Sequence, residues 1–236
     1  MNDTVRYIRA ELDRLRGSYI CVSNVHTTVM SYENEQYRNI QNNAAMALPD
    51  GAPLSICSRK RGFSQAQRVT GPDLMLELLK AGSGADMPLR HFFYGSAQQT
   101  LDAMRQRIEN DYPDAVIAGM YSPPFRELSE DEDEKITELI NRAEPDILWV
   151  GLGAPRQEEF MYRHRGIINA VMIGVGAGFD YLAGNIKRAP KLMQRLSLEW
   201  LYRFIQDPVR LWQRYVTTNI KFIIYINQEK KLNRGK

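Results

Sequence analysis

Short runs of apolar and β-branched residues alternate along this chain with longer segments in which apolar side chains return every three or four positions. The runs at 19–22, 53–57, 91–94, 115–118, 147–150 and 171–173 predict strands, since a few consecutive apolar residues fit a strand buried on both faces. The segments at 33–47, 72–81, 98–110, 130–142 and 156–164 predict helices. Strands alternating with helices of this length predict βαβ units and an α/β fold, a parallel sheet with helices on both faces. After residue 173 the alternation stops: 189–206 and 209–228 read as two helices parted by Asp207-Pro208. The expected organisation is an α/β domain over residues 1–186 and a helical C-terminal appendage over 187–236.

Composition adds little to that picture, but charge changes it. With 236 residues, 44% of them hydrophobic, the chain can bury a core without metals or disulfides. Cys21 and Cys57 lie in separate apolar stretches with no C-x-x-C spacing, which points to core packing in a reducing compartment. The first sixteen residues interleave charged and apolar positions, unlike a secretory signal. The densest apolar run, 222–226, is five residues long, far short of the roughly 18 a membrane span requires. From Lys187 to Lys236, however, 12 Lys or Arg face three acids, a net charge of +9, while everything before carries −6. Such a basic segment on an acidic body suits an anionic partner.

In parallel sheets ligands sit beyond the carboxyl ends of the strands, so the turns there are the places to look for chemistry. Asn24 follows the first predicted strand, Gly95-Ser96 the third, Gly151-Leu152-Gly153 the fifth and Gly174-Val175-Gly176-Ala177-Gly178 the sixth. Glycine lets backbone approach a phosphate closely, and a helix that follows offers N–H donors to it. Several such turns at one edge suit a nucleotide diphosphate, although tight strand-to-helix connections also recruit glycine. Neither glycine turn completes G-x-G-x-x-G, because Arg156 and Phe179 occupy the third glycine position, and a P-loop is absent. Nicotinamide and ATP chemistry are thereby disfavoured. His26, His91 and His164 lack metal-ligand spacing, and no serine sits in a G-x-S-x-G elbow. Asp131-Glu132-Asp133 formally resembles a metal-binding acidic motif, but Ser129 three residues before Glu132 marks a capping box at a helix start. No cofactor or metal is expected.

Further residues join the strand-end turns in a recognisable order. They are Asp50-Gly51, Arg68-Val69-Thr70-Gly71-Pro72-Asp73-Leu74, the stretch from Gly151 through Pro155 to Gln157-Glu158, Gly174 to Asp180, Arg188-Ala189-Pro190 and Glu199-Trp200-Leu201-Tyr202-Arg203. Together they resemble the motif set of the WecG/TagA/CpsF family of bacterial glycosyltransferases, over roughly Gly17 to Tyr215. The family's early Thr-x-Asn motif is only partly kept, with Val22 in place of the Thr and Asn24 in place of the Asn. The resemblance implies a Rossmann-like core that transfers a hexose or N-acetylhexosamine from a UDP-sugar, with inversion and without a metal, to a polyprenyl-diphosphate-linked sugar. It makes Asp50 the candidate base, Arg68 and Gln157 catalytic-site candidates, and Asn24, Gly95, Gly151, Gly153 and Asp180 candidate substrate contacts.

These residue types suit the chemistry. A sugar hydroxyl is a poor nucleophile near neutral pH, and a carboxylate within hydrogen-bond reach assists by taking its proton. The departing diphosphate gains charge, which N–H donors and cations can meet. In the C-terminal segment, cations including Arg203, Arg210 and Arg214 are interleaved with Trp200, Tyr202, Trp212 and Tyr215. That composition suits an anionic membrane surface, and the planar fork of arginine also suits a diphosphate. The expected place of work is the cytoplasm, peripherally on the inner face of the cell membrane. Nucleic acid is not an expected partner, since no reading motif is present, and a homo-oligomer is compatible with the chain. Two other readings remain open from the residues alone: a different nucleotide-sugar enzyme, such as a hydrolase or epimerase, and a noncatalytic module whose basic tail holds lipid or nucleic acid.

Overall fold

The computed structural model describes residues 1–81, 88–190, 192–193 and 198–234, without the side chains of residues 210, 213, 214 and 230–234. Strands β1 (Tyr19–Ser23), β2 (Met46–Pro49), β3 (Arg90–Gly95), β4 (Val116–Tyr121), β5 (Ile147–Gly151) and β6 (Val171–Gly174) form one parallel sheet in the order β2-β1-β6-β5-β3-β4. The expected α/β, Rossmann-like fold is therefore the observed one. Around the strands run α1 (Asn2–Ala10), α2 (Leu12–Leu15), α3 (Val25–Glu33), α4 (Glu35–Asn42), α5 (Ala52–Lys60), α6 (Gly71–Ala81), α7 (Gln98–Asp111), α8 (Glu130–Arg142), α9 (Arg156–Arg163), α10 (Gly178–Ala183), α11 (Glu199–Gln206) and α12 (Pro208–Arg234).

Five of the six strands lie where the apolar runs place them; the sixth does not. Residues 53–57, expected as a strand, form the middle of α5, and the missing strand is β2, inside the segment 33–47 expected as a helix and just beyond it. Short apolar runs do not separate strand from helix by periodicity. Gly51, at φ +110°, breaks the chain between β2 and α5, and Pro53 sits in the first helical turn, where its missing N–H costs nothing. The region before β2 is two short helices, α3 and α4, not one long one. Residues 191 and 194–197, within the helix expected over 189–206, lie outside the described residues; α11 covers its end.

The chain divides into two compact units. The first comprises Met1–Val22, Ile40–Leu48 and Val69–Lys187, and the second Ser23–Asn39, Pro49–Arg68 and Arg188–Lys236. The basic C-terminal segment thus shares its unit with two earlier segments.

In the first unit the alternation of strand side chains builds two separate cores. Ile20, Val22, Phe93, Ile147, Trp149, Val171 and Ile173 face one way, against Leu74, Leu78 and Leu79 of α6, Leu101 and Met104 of α7, and Phe179 of α10. Tyr19, Cys21, Phe92, Tyr94, Leu148, Val150 and Met172 face the other, against Ile136 and Ile140 of α8 and Phe160 and Met161 of α9. Because both faces are covered, the central strands are mostly apolar, which is what made them visible as runs. At the amino end of the sheet Asp146 is the polar staple: Oδ1 accepts from Arg16 Nη2 at 2.6 Å and Oδ2 from the Arg90 N–H at 2.8 Å.

In the second unit α12 packs on α3, with Tyr32 and Tyr225 stacked at 4.1 Å and Glu33 Oε1 accepting from Lys221 at 2.7 Å and from the Tyr225 hydroxyl at 2.6 Å. Phe204 of α11 meets Trp212 and Tyr215 of α12 at ring separations of 6.0 and 6.2 Å. Arg61, just beyond α5, pairs with Glu229 of α12.

One buried histidine gives this fold a pH dependence. His91 of β3 is fully buried, its Nδ1 accepts from the Trp149 indole at 3.1 Å, and burial pushes its pKa down to about 4. The unfolded chain, with a pKa of about 6.5, therefore takes up this proton first on acidification. The stability tied to neutral His91 is present above that value and is lost as pH falls toward 4, by about 2 kcal/mol at pH 5. Urea unfolding at pH 7 and pH 5 should show this loss in the wild-type protein and a smaller one, by that amount, in His91→Phe.

Candidate active site

In the first unit the carboxyl ends of β3, β5 and β6 are joined to their helices by turns in which backbone meets backbone. A Cβ on Gly95 would stand 2.7 Å from the Gly151 carbonyl group, and one on Gly151 would stand 2.7 Å from the Phe179 ring. These two glycines are required by packing. Gly153, at φ +78°, has no atom within 4 Å of where its Cβ would be, so its backbone opens to space. Beyond β3, Ser96 holds a left-handed conformation (φ 60°), and its carbonyl accepts from the Ser122 hydroxyl at 2.7 Å.

Gln157 and Glu158 open α9 and are almost fully buried. Gln157 Oε1 accepts the Gly176 N–H at 3.0 Å, and its Nε2 donates to Glu158 Oε1 at 2.7 Å. The carboxamide is thus built into the turn after β6. Asp180 lies in the first turn of α10, with Oδ1 accepting from Asn185 Nδ2 at 3.2 Å; the same amide donates to Thr100 Oγ1 at 3.1 Å. The only local signal for Asn185 is its position next to Gly184, a left-handed helix end.

In the second unit Asn24 and Asp50 are the residues that follow β1 and β2 in the chain. The half-buried Asp50 donates its backbone N–H to the Ser23 carbonyl at 2.7 Å. Asn24 is the N-cap of α3: Oδ1 accepts from the N–H groups of His26 and Thr27 at 3.0 and 3.2 Å, while Thr27 Oγ1 accepts the Asn24 N–H. Its oxygen is therefore committed to the helix, and Nδ2 is the end that can face a ligand.

Arg68 reaches Glu199 of α11, with Nη2 2.6 Å from Oε2, and Arg188 Nε lies 3.1 Å from the other oxygen of the same carboxylate. One acid therefore aligns two guanidinium groups. Neither Glu199 nor Arg188 had a role assigned from sequence, although both lie in the motifs read there. Arg203 lies in the last turn of α11. Arg210 and Arg214 belong to α12 by backbone, and their side chains lie outside the described residues.

Glu132 and Asp133 of the 131–133 segment have partners within the fold. Glu132 and Ser129 form the capping box of α8, and the Glu132 carboxyl, held by Arg126 and the Ser129 N–H, falls to a pKa of about 2. Asp133 pairs with His164 Nε2 at 3.0 Å. Thr70 and Asp73 bond each other reciprocally in the first turn of α6, at 2.6 and 3.2 Å, as a helix start.

The first unit thus provides glycine-walled turns at strand ends, and the second provides a half-buried carboxylate just after β2 and an aligned arginine pair. Residues 1–236 match the model of the Glycosyl transferase WecG/TagA/CpsF family. An N-acetylglucosaminyldiphosphoundecaprenol N-acetyl-beta-D-mannosaminyltransferase of Bacillus spizizenii is 33% identical over 217 residues, covering 89% of this chain and 81% of the relative. The enzyme of the same name from Bacillus subtilis strain 168 is 33% identical over 221 residues, covering 93% and 83%. That from Staphylococcus aureus strain MW2 is 28% identical over 197 residues, covering 83% and 73%. A family match across the full length and relatives aligned over most of their own chains lead to one conclusion: this protein belongs to the WecG/TagA/CpsF family and is a glycosyltransferase.

Proposed function

We propose that the protein transfers an N-acetylhexosamine, by analogy with its relatives N-acetylmannosamine, from a UDP-sugar to a sugar carried on polyprenyl diphosphate. The observation that carries this reading is the relationship to two enzymes named for that transfer over about nine-tenths of the chain. In the reaction an acceptor hydroxyl attacks the anomeric carbon of the donor from the face opposite UDP. The C–O bond forms as the bond to UDP breaks, the proton passes to Asp50, and the configuration inverts.

Each side chain has a role consistent with its surroundings. Asp50 is the base, with its backbone tied to the end of β1. Arg68, oriented by Glu199, meets the negative charge that develops on the departing diphosphate. The glycine turns at 95, 151 and 153 let backbone approach that diphosphate, and Gln157 keeps the turn after β6 in shape. Asp180, held by Asn185, is a hydrogen-bond acceptor for the nucleoside hydroxyls, and Asn24 Nδ2 a donor to a sugar hydroxyl. Arg203, Arg210 and Arg214 add cations for the lipid-linked diphosphate.

The C-terminal helices bring the enzyme to its lipid substrate. No described helix is long and apolar enough to cross a membrane. On α12, however, Val209, Trp212, Val216, Ile220, Ile223 and Ile224 are exposed at spacings of three and four, which places them along one face. An apolar face on a segment of net charge +9 fits an anionic lipid surface, peripherally on the cytoplasmic side of the cell membrane.

Three outcomes test these assignments. Asp50→Asn should lower turnover by about 10² to 10⁴-fold while leaving UDP affinity and melting temperature close to wild type, as read by UDP release, titration and thermal melting. A variant that keeps a third of the wild-type rate would remove Asp50 as the base. Activity should persist in chelator, with no gain from added magnesium or manganese, because Asp131, Glu132 and Asp133 serve the start of α8; loss in chelator restored by metal would overturn this. Replacing Val209, Ile220 and Ile223 together by Gln should weaken binding to phosphatidylglycerol vesicles by at least about tenfold. Turnover on a short-chain, water-soluble acceptor should be unchanged. Equal vesicle binding by the triple variant would remove the membrane role of this face.

A further inference from the structure

The arrangement around Gln157 is unusual for a residue in a substrate site, because both ends of its carboxamide are already used within the protein. Oε1 takes the Gly176 N–H and Nε2 gives to Glu158. The group also fills the space that a side chain on Gly174 would need: a Cβ there would stand 3.0 Å from Gln157 Nε2 and 2.9 Å from Met161 Cε. Gly176 holds φ +53°, a conformation in which its N–H is presented to that amide oxygen. Turn and carboxamide are therefore matched in shape as well as in hydrogen bonding.

Glu158 is the less expected member. It is 1% exposed, and a carboxylate so far from water needs hydrogen-bond partners, of which the Gln157 amide is one. Its place in the first turn of α9 favours negative charge. Its presence is felt across the sheet face, where burial and the Glu158 charge together push the Cys21 thiol pKa up and keep it protonated. Glu158 Oε1 is the acceptor here, and a carboxylate oxygen set against a primary amide calls for its NH₂ end. Glu158 therefore dictates which end of the Gln157 amide faces it. The NH₂ must turn toward Glu158, and the oxygen must turn toward Gly176. With the amide reversed, its NH₂ would oppose the Gly176 N–H and its oxygen would oppose the carboxylate, losing both bonds.

We propose that Glu158 is a positioning residue for donor binding: it locks the Gln157 carboxamide in one orientation and so fixes the turn at 174–178 in the shape that receives the diphosphate of the UDP-sugar. Gln157 is then a brace within the protein, and the diphosphate meets the turn that Gln157 shapes. This inference rests on the UDP-sugar transferase reading.

Three proteins test it: wild type, Glu158→Gln, and the exchange Gln157→Glu with Glu158→Gln. In the exchanged protein a carboxylate at 157 accepts from both the Gly176 N–H and the amide now at 158, so the two bonds persist with the roles reversed. In Glu158→Gln a second amide removes the constraint on orientation. The expected result for this single variant is a rise of at least about tenfold in UDP Kd and in KM for the UDP-sugar, with kcat changed less than about threefold. Hydrogen exchange at the Gly176 amide should quicken by a similar factor. The exchanged protein should return all three to within about threefold of wild type. Unchanged UDP affinity and Gly176 exchange in Glu158→Gln would overturn the proposal. So would an exchanged protein that, folded or not, fails to recover UDP binding, which also covers the case in which the single variant does not fold. If the wild-type protein transferred no sugar from any UDP-sugar tried, the functional reading would fall, while Gly176 exchange would still report whether the brace exists.

Discussion

The carboxyl ends of β3, β5 and β6 come so close to one another and to their helices that no side chain fits between them. Gly95 lies against Gly151, Gly151 against Phe179, Gly174 against Met161 and Gln157, and Gly71, at the start of α6, against Val175. A Cβ at any of these positions would meet its neighbour at about 3 Å or less, so the sheet could not keep its register while α6, α9 and α10 kept theirs. Much else follows from that constraint. It packs the turn after β6 against the Gln157 amide, which accepts the Gly176 N–H and fills the space a side chain on Gly174 would need.

The two ends of the sheet solve different problems. At the amino end a charged staple, Arg16 with Asp146 and the backbone of Arg90, ties the N-terminal helices to the strands. At the carboxyl end the polar groups are arranged in pairs that hold one another: Gln157 with Glu158 and Gly176, Asp180 with Asn185, Ser122 with Ser96. Of these pairs the Gln157 amide with Glu158 is buried, and hydrogen bonds in a buried setting hold a turn in a single shape.

The second unit relies on aromatic and ionic contacts more than on a continuous apolar core. Its members come from three stretches of chain, and Glu199 illustrates how they are joined, with one carboxylate from the C-terminal segment holding Arg68 from the middle of the chain and Arg188 from the start of the segment. The basic segment therefore has two functions in one element. Its inner residues pack against α3 and the end of α5, and its outer residues remain apolar and exposed. A basic segment by itself left a noncatalytic binding module open; membership of a glycosyltransferase family closes that alternative.

The sequence by itself determined what depends on near neighbours. Burial on both faces made β1, β3, β5 and β6 readable as apolar runs, the partly buried edge strand β4 showed the same pattern, and Ser129 with Glu132 marked the start of α8 as a cap. The ordered motifs were enough to identify the family and to nominate Asp50, Arg68 and Gln157. Tertiary structure decided whatever depended on distant partners. Segment 53–57 is apolar enough for a strand, yet β2 takes the place beside β1 and Gly51 turns the chain into a helix. Gln157 reads as a catalytic-site candidate, and the structure bonds its amide to Gly176, nineteen residues away. The pairing of Arg68 with Glu199 spans 131 residues. Periodicity and capping act over one or two turns of chain, whereas these bonds form only once the folded backbone brings remote groups within about 3 Å, and no local pattern encodes that distance.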